Sequence, residues 1–258
     1  MCGIVGVWAR EGTKVKSKFV NILFEENEKR GRDGWGYVVP SSDFVFKTSK
    51  SYSETEKQDL TLEKDDLLIG ICRAKPETEV ETDDQHLDQT MQPIIRDNCY
   101  LVHNGAINTY YDNCYKHQRT KLDSECIIIA YKKYGFPDFV KHLPGGFAFL
   151  LYDKEINQLI IGVNHMPLYH AYIKGLGYFV SSKKEALSRI LKLHYNFDKN
   201  TANVWEAWYI TEVEPFTVRS IDLDSGFVSK FEFEPFYLLP NERSNVYGEQ
   251  SKFENKMP

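Results

Sequence analysis

The sequence lacks several features that mark common functional classes. It has no apolar run of about 18 residues, so it predicts no membrane-spanning helix. No basic segment followed by an apolar one stands at the N-terminus, so we expect no signal peptide. The net charge of −5 gives no basic surface for nucleic acid. We therefore expect a cytoplasmic protein with no nucleic-acid or membrane partner.

Cysteine and histidine are present, but not in metal-binding patterns. The cysteines are Cys2, Cys72, Cys99, Cys114 and Cys126, an odd number without a Cys-x-x-Cys pair. The seven histidines show no metal-ligand spacing. A P-loop and a dinucleotide-binding fingerprint are also absent. The sequence thus favours free thiols in a reducing compartment and predicts neither a metal nor a cofactor.

The first residues show the strongest chemical signal. Cys2 directly follows Met1, so removal of Met1 would leave a thiol and a free α-amine on one residue. Such an amine can act as the base for its own nucleophile, and its pKa of about 7.7–8.0 leaves a good share neutral near pH 7. Residues 3–8 then predict a strand that would hold the nucleophile rigidly. The plain alternative is a buried structural cysteine.

The order of elements predicts two antiparallel sheets packed on each other with helices outside, an α+β fold. Helices are predicted at residues 16–29, with Ser17 as N-cap, at 122–134 and at 183–194. Strands are predicted at residues 37–39, 44–46, 67–72 and 100–103, in one meander at 147–152, 159–163, 169–173 and 178–181, and in a last hairpin at 216–221 and 227–233.

Three polar segments interrupt this pattern. Residues 49–66 predict an exposed excursion, and residues 75–92 predict a long polar loop of the kind that is usually functional or mobile. Residues 236–258 predict a polar C-terminal tail after a single domain at 1–235. The residue types in these segments assign no role to them, and nothing in the sequence gives an oligomeric state.

Four short motifs and one arginine recur in a fixed order. They are Cys2 with its glycine-spaced strand, the run RGRDGWG at 30–36, Arg73 after a strand, His103-Asn104-Gly105, and Asp123-Ser124-Glu125. Together they resemble the glutaminase domain of class II glutamine amidotransferases, a branch of the N-terminal nucleophile hydrolases. The Asp-Gly-Trp-Gly version of the second motif is similar to stand-alone members. The resemblance covers roughly residues 2–235 and implies a four-layer αββα sandwich.

The resemblance implies a catalytic role for three residues. Cys2 matches the nucleophile whose thiolate attacks the side-chain amide carbon of glutamine, giving a γ-glutamyl thioester that water hydrolyses to glutamate. The Asn104 side-chain amide and the Gly105 N–H match the donors of the oxyanion hole. Each residue also has a plain alternative, since Asn-Gly is a common hairpin turn. His103 is expected to be a packed neighbour of this corner rather than a base.

The resemblance further implies how the amino-acid end of glutamine is bound. Arg73 matches the residue that binds the α-carboxylate, where a guanidinium suits two oxygens, and Ala74 lies beside it as a further substrate contact. Asp123 matches the acid that binds the α-ammonium. The plain alternatives are a surface salt bridge for Arg73 and a helix cap for Asp123.

A supporting loop is implied at Arg32, Asp33 and Gly34, next to the nucleophile. The chain departs from the family pattern after Arg73. Many members continue there with Trp-Ala-Thr-His-Gly, whereas this chain has Ala-Lys-Pro-Glu-Thr at 74–78. The substrate is therefore either glutamine or another γ-glutamyl compound, with Lys75 or Thr78 as substitute contacts.

Three functions remain open at this point. In the first, the chain is a glutaminase that delivers ammonia to an acceptor on a separate synthase subunit, since only about 25 residues follow the matched region. In the second, it is a stand-alone amidohydrolase of another γ-glutamyl amide. In the third, it is an inactive binding or scaffold protein on the same fold. The presence of each key residue type argues against the third.

Overall fold

The structure is a computed structural model that describes residues 1–10, 14–75, 86–196 and 209–234. Within these residues the strands are β1 Gly3–Ala9, β2 Trp35–Val39, β3 Phe44–Thr48, β4 Leu67–Cys72, β5 Ile94–Arg96, β6 Cys99–Ile107, β7 Gly145–Asp153, β8 Gln158–Val163, β9 Tyr169–Ile173, β10 Gly177–Ser181, β11 Thr211–Glu212, β12 Thr217–Asp222 and β13 Val228–Glu232. The α-helices are α1 Ser17–Asn27, α2 Leu87–Thr90, α3 Glu125–Tyr134 and α4 Lys184–Tyr195. Short 3-10 helices lie at Tyr52–Glu54, Tyr111–His117 and Asp138–His142.

The strands pair antiparallel in two sheets. The first sheet has seven strands in the order β11-β9-β10-β1-β4-β2-β3, and the second has six in the order β13-β12-β8-β7-β6-β5. Strand β1 lies inside the first sheet between β10 and β4, and β6 lies inside the second between β7 and β5. The two strands with the Cys2 and Asn104 motifs are therefore held by neighbours on both sides.

Alternation along the strands builds three hydrophobic layers. On β1, Val5 and Val7 join the layer that α1 and α4 cover, whereas Ile4 and Trp8 join the layer between the two sheets. On β7, Phe149 joins a third layer that α3 covers. The order of layers is helix, sheet, sheet, helix, which confirms the predicted αββα sandwich. Among the described residues no helix is long and apolar enough to cross a membrane.

The predicted meander is wrong in its sheet assignment. Strands β7 and β8 pair in the six-stranded sheet, whereas β9 and β10 pair in the seven-stranded sheet. The chain changes sheets after β8, where Asn164 Oδ1 accepts from Phe147 N–H and Asn164 Nδ2 donates to the Gly145 carbonyl, both at 2.6 Å. Turn length alone does not show which strand will be the partner, and this is why the pattern failed.

The prediction of an exposed excursion holds for only part of residues 49–66, where ten of the 18 residues are exposed. Tyr52 and Leu60 are buried in the layer beneath α1. Ser17 Oγ accepts from Leu60 N–H at 2.9 Å and so ties this segment to the start of the helix. Ser17 is therefore not the N-cap of α1; Lys16 takes that position without a side-chain hydrogen bond.

Only the ends of the predicted polar loop at 75–92 lie in the described part of the chain. There the short helix α2 is followed by Met91 and Gln92, which are both buried. Residues 76–85 and the predicted tail at 236–258 lie outside the described residues.

Candidate active site

Cys2 lies at the start of β1, beside the end of β4. The register pairs Gly3 with Cys72, so the next residues along β4, Arg73 and Ala74, pass close to Cys2. Cys2 Sγ lies 3.4 Å from Ala74 N and 3.7 Å from Ala74 O. The structure therefore places the thiol against the backbone of the segment that contains Arg73.

The backbone of Cys2 is held from two sides. Its N–H donates to Asn104 Oδ1 at 2.8 Å, a contact that crosses from one sheet to the other. Arg30 Nε donates to the Cys2 carbonyl at 3.0 Å. The nucleophile candidate is thus fixed by a side chain from β6 and by a side chain from the turn after α1.

The surroundings of the Cys2 thiol favour its neutral form. Burial raises the pKa of the thiol, and this is the largest effect. The hydrogen bond from Ala74, the charge of Arg73 and the chain N-terminus lower the pKa, whereas the charge of Asp123 raises it. Because the net direction is upward, the thiol stays protonated at neutral pH and needs a base before it can attack.

Asn104 is a buried side chain with only one half of its amide satisfied. Its Oδ1 accepts from Cys2 N–H, whereas its Nδ2 has no hydrogen-bond partner within the described residues. A buried donor without an acceptor costs about 1–3 kcal/mol. The Nδ2 group is therefore free to donate to an oxygen that arrives beside the thiol, which is the requirement for an oxyanion-hole donor.

The Asn104-Gly105 pair is not a hairpin turn. Strand β6 runs through both residues and stays paired with β7. Gly105 has a φ of +141°, and a Cβ there would lie 1.9 Å from the Gly146 carbonyl oxygen and 3.0 Å from His103 Nε2. Only glycine fits this strand position, so the turn alternative is wrong.

A buried polar network fixes the residue before Asn104. Gln92 Oε1 accepts from His103 N–H at 2.6 Å, and Gln92 Nε2 donates to the His103 carbonyl at 3.1 Å. His103 Nδ1 lies 2.8 Å from Ser124 Oγ. Burial lowers the pKa of His103, against a smaller opposite effect of the Asp123 charge. The ring is therefore neutral at pH 7, and the network acts as a support for β6.

Arg73 and Asp123, the two charged residues expected to bind the amino-acid end of glutamine, have different surroundings. Arg73 is only 2% exposed, with its Nη1 3.9 Å from Met91 Sδ, so it is not a surface salt-bridge residue. Asp123 Oδ2 accepts from Ile107 N–H at 2.6 Å, so its carboxylate bonds to β6. The N-cap of α3 is Ser124, and the helix-cap alternative for Asp123 is wrong.

The glycine-rich loop after α1 lies against the Arg73 segment. Asp33 N–H donates to the Arg73 carbonyl at 2.9 Å, and Lys75 N–H donates to Asp33 Oδ2 at 2.8 Å. A Cβ on Gly31 would lie 2.3 Å from the Arg73 carbonyl carbon, and Gly34 has a φ of +140°. Asp33 and the glycines therefore shape the chain next to the thiol.

The structure brings most of the predicted site residues together. Ala74 contacts the Cys2 thiol, the charges of Arg73 and Asp123 act on it, and Asn104 bonds to the Cys2 backbone with Gly105 next to it on β6. Asp33 and Gly34 bond to the backbone of Arg73. The Arg32 side chain is exposed, and Thr78 lies outside the described residues. In the described ranges no three His, Cys, Asp or Glu side chains converge in a way that would hold a metal ion.

Sequence reasoning assigned no role to two residues that the structure places at this site. Arg30 holds the Cys2 carbonyl, and Gln92 holds both backbone groups of His103. The signal for Gln92 was its position before Pro93 and directly ahead of β5, since the residue before proline favours an extended backbone. For Arg30 no local signal existed, because an arginine after a helix is usually solvated.

Comparison with known proteins agrees with this geometry. The profile of the family described as "Glutamine amidotransferase domain" matches residues 84–229, which is more than half of the chain. A 7-cyano-7-deazaguanine synthase of Saccharolobus solfataricus is 30% identical over 237 aligned residues, which cover 84% of this chain and 48% of that protein. Asparagine synthetase B [glutamine-hydrolyzing] of Escherichia coli is 33% identical over 103 residues, 39% of this chain and 18% of that protein.

The chain spans about half the length of the 7-cyano-7-deazaguanine synthases that it matches. Two solved structures share its fold. The glutamine phosphoribosylpyrophosphate amidotransferase from B. subtilis aligns with a TM-score of 0.60, and a structure described as the allosteric regulatory enzyme of purine biosynthesis with 0.63. Each is 19% identical and is matched over 90% of this chain and 49% of its own. At this identity the likeness supports the sandwich fold alone.

Proposed function

The chain belongs to the glutamine amidotransferase domain family, as an enzyme of class II, and from this premise we propose that it hydrolyses the side-chain amide of glutamine. The reaction passes through a γ-glutamyl thioester on Cys2 and gives glutamate and ammonia. One observation supports it most strongly: Asn104 accepts from Cys2 N–H through Oδ1, while its buried Nδ2 has no partner in the described part of the chain.

Removal of Met1, whose side chain is 70% exposed, turns the Cys2 N–H into a free α-amine. One amine N–H keeps its bond to Asn104 Oδ1, 2.8 Å away, and the nitrogen lone pair remains to accept the thiol proton of the same residue. The amine takes the thiol proton, directly or through water, as sulfur attacks the amide carbon. The C–N bond then breaks, and the proton returns to the leaving ammonia. Water finally cleaves the thioester.

Attack on the amide places a negative charge on the former carbonyl oxygen. Asn104 Nδ2 is held in position before substrate arrives, because Oδ1 of the same amide is already bonded to the Cys2 backbone. The Gly105 N–H follows it on the same strand. Donors that need no reorganisation stabilise such an oxyanion by several kcal/mol. The Gln92–His103 bonds keep this strand from shifting.

Two residues of opposite charge, Arg73 and Asp123, suit the amino-acid end of glutamine. Arg73 is positive and buried, and Asp123 is negative and fixed to β6. The charge of Arg73 lowers the pKa of the Cys2 thiol, and the charge of Asp123 raises it. A guanidinium pairs with the α-carboxylate, and a carboxylate pairs with the α-ammonium. We infer that free glutamine, which has both groups, is the substrate.

Replacing Arg73 with lysine is expected to raise the KM for glutamine by about 10- to 100-fold, with a smaller change in kcat. Lysine keeps the charge but loses the two parallel N–H donors. Initial-rate kinetics of glutamate release would measure the effect. Arg119→Lys is the matched control, since its side chain is 65% exposed and pairs only with Asp97 among the described residues. An unchanged KM in Arg73→Lys would remove Arg73 from the substrate site.

The pH dependence of kcat/KM should show one acidic limb with a midpoint at about pH 7.5–8, because the α-amine must be neutral to act as base. Activity therefore rises with pH through this range. A base at His103 would give a midpoint below about 6.5, since burial lowers the pKa of His103. Direct titration of the thiol would move the midpoint well above 8.5. Steady-state rates from about pH 5.5 to 9.5 separate the three cases.

The ammonia is proposed to serve a synthase reaction. The curated relatives are named as a 7-cyano-7-deazaguanine synthase and as a glutamine-hydrolysing asparagine synthetase, and both extend well beyond the matched segment. We infer that the acceptor site lies on a further part of a longer chain or on a partner protein. If the acceptor site lies on a partner synthase, adding that partner should raise the rate of glutamine hydrolysis.

A substrate screen tests the proposed function directly. Glutamine, γ-glutamyl methylamide and γ-glutamyl anilide are incubated with the protein, and glutamate release is measured. We expect glutamine to give the highest kcat/KM. Release from the other amides without release from glutamine would instead support a stand-alone γ-glutamyl amidohydrolase. No turnover of any of them, with a Cys2 that resists alkylation, would support an inactive scaffold.

A further inference from the structure

A cavity of about 350 Å³ lies at the end of β1 that is far from Cys2. Its walls include Trp8, Arg10, His170, Tyr178, Arg219 and Ser225. They come from both sheets and from the turn between β12 and β13. Trp8 and Cys2 are six residues apart on one extended strand, a separation of about 20 Å. The cavity is therefore distinct from the candidate active site.

The polar groups of this cavity are mostly hydrogen-bond donors. Arg10 Nη2 donates to the Ser225 carbonyl at 3.2 Å, and no carboxylate pairs with it among the described residues. Trp8 is 4% exposed and its Nε1–H has no acceptor there, and the same is true of Arg219 Nε–H. Buried donors without acceptors are uncommon in folded proteins. These two N–H groups would be satisfied by a ligand that brings an acceptor.

The positive charge of the cavity is only partly neutralised. Arg219 Nη2 donates to Glu214 at 2.7 Å, but Lys230 also pairs with that carboxylate, at 2.6 Å. Arg219 Nη1 lies 3.2 Å from His170 Nε2. Burial, together with the Arg219 charge, lowers the pKa of His170 to about 4, so this ring is neutral at pH 7. Arg219 therefore shares its carboxylate partner with a lysine, and Arg10 has no carboxylate partner among the described residues.

The remaining walls are flat and aromatic. Trp8 and Tyr178 are register partners on neighbouring strands, and the His170 ring lies 5.4 Å from the Tyr178 ring. The Arg10 guanidinium stacks over Trp8 at 4.5 Å from the ring centroid. Tyr172, at 44% exposed, stands at the open side of the cavity. Such walls accept a planar ring, because aromatic and guanidinium faces stack on it.

We propose that this cavity binds a small organic anion with a planar aromatic ring, either an aromatic carboxylate or a nucleoside monophosphate. The ring stacks among Trp8, Tyr172 and Tyr178, and the anionic group accepts hydrogen bonds from Arg10 and Arg219. A volume of about 350 Å³ suits such a ligand, since small-molecule sites span roughly 300–1,000 Å³. The proposal does not depend on the glutaminase reaction.

Isothermal titration calorimetry of the full chain with four probes tests the ligand class. The probes are AMP, indole-3-carboxylate, adenosine and inorganic phosphate. We expect AMP or indole-3-carboxylate to bind at least about 10-fold more tightly than adenosine or phosphate, because both the ring and the charge contribute. The anion that binds more tightly shows whether the ligand is an aromatic carboxylate or a nucleoside monophosphate. The proposal is overturned if neither anion binds at about 5 mM, or if the preferred anion binds no more tightly than adenosine.

Variants locate the binding. Arg219→Gln and Arg10→Gln should each weaken binding of the preferred anion at least about 10-fold. Arg10 is only partly buried, so its variant keeps the test valid if Arg219→Gln does not fold. Arg189→Gln on α4 is the matched control, with a side chain 44% exposed, and should bind as the wild type does. Cys2→Ala should also bind unchanged. Unaltered affinity in both cavity variants would place the ligand elsewhere and refute the proposal.

Discussion

Replacing Cys2 with alanine is expected to reduce glutamate release from glutamine by about four orders of magnitude or more, because the thioester can no longer form. Alanine is small enough for Met1 still to be removed, so the variant keeps the terminal amine and loses only the sulfur. The Cys2 N–H contact with Asn104 uses backbone and is retained. A coupled assay for glutamate with a long time course would measure the residual rate.

Cys99→Ala is the matched control for this variant. Cys99 is fully buried on β6, and burial raises its thiol pKa to about 12, so it has no means to act as a nucleophile. Its variant should keep activity within about twofold while losing some thermal stability, since a small cavity costs about 1 kcal/mol. Loss of activity in Cys99→Ala, or retention of it in Cys2→Ala, would assign the chemistry to a different group.

Replacing Asn104 with aspartate is expected to lower kcat by about 100- to 1,000-fold, since one oxyanion donor is lost. Aspartate keeps an oxygen that accepts from the Cys2 N–H, so the nucleophile stays in place. It replaces the unpartnered Nδ2 donor with a second acceptor that repels the oxyanion. The variant therefore separates oxyanion stabilisation from positioning of Cys2. Single-turnover kinetics would show the loss in the acylation step.

Asn108→Asp serves as the control for charge and shape in the same region. Asn108 Oδ1 accepts from Tyr110 N–H at 3.1 Å, and aspartate preserves this bond. We expect its kcat to stay within about threefold of the wild type, as for most substitutions outside a catalytic site. If Asn104→Asp were as active as Asn108→Asp, the side-chain amide of Asn104 would not be part of the oxyanion hole.

The sequence predicted the elements that hold the site because their signals are local. Strand β1 and strand β4 are continuous apolar runs, as strands buried on both faces must be, and both lie where expected. Arg73 was expected directly after β4, and the register of Gly3 with Cys72 brings it to Cys2. No single residue type showed that these residues form one site. The order of the motifs along the chain gave that indication.

The parts that failed depend on long-range contacts. Asn104-Gly105 has the residues of a hairpin turn, yet pairing with β7 extends β6 through both, because Gly105 adopts a φ that other residues avoid. Residues 49–66 have the composition of an exposed segment, yet Tyr52 packs beneath α1. In each case tertiary packing overrides a local preference, and neither outcome can be read from neighbouring residues.

The sequence also assigned no role to Gln92 and Arg30, the residues that hold the backbone of the site, because their contacts depend on tertiary packing. Strand β5 pairs with β6 only as far as Leu101, so the backbone of His103 has no partner on β5. The side chain of Gln92 bonds to the His103 N–H and carbonyl instead. Arg30 reaches the Cys2 carbonyl from the turn after α1. Polar residues in loops take many roles, and which backbone group they meet is decided by the packing of the sheets.

The most direct measurement of the central claim is the intact mass of active protein after reaction with an electrophilic glutamine analogue, followed by peptide mapping. We expect Met1 to be absent and one adduct to be present, on the sulfur of the N-terminal Cys2. We also expect the fraction of adduct to equal the fraction of activity lost. Full activity in protein that keeps Met1, or an adduct on any other residue, would contradict it.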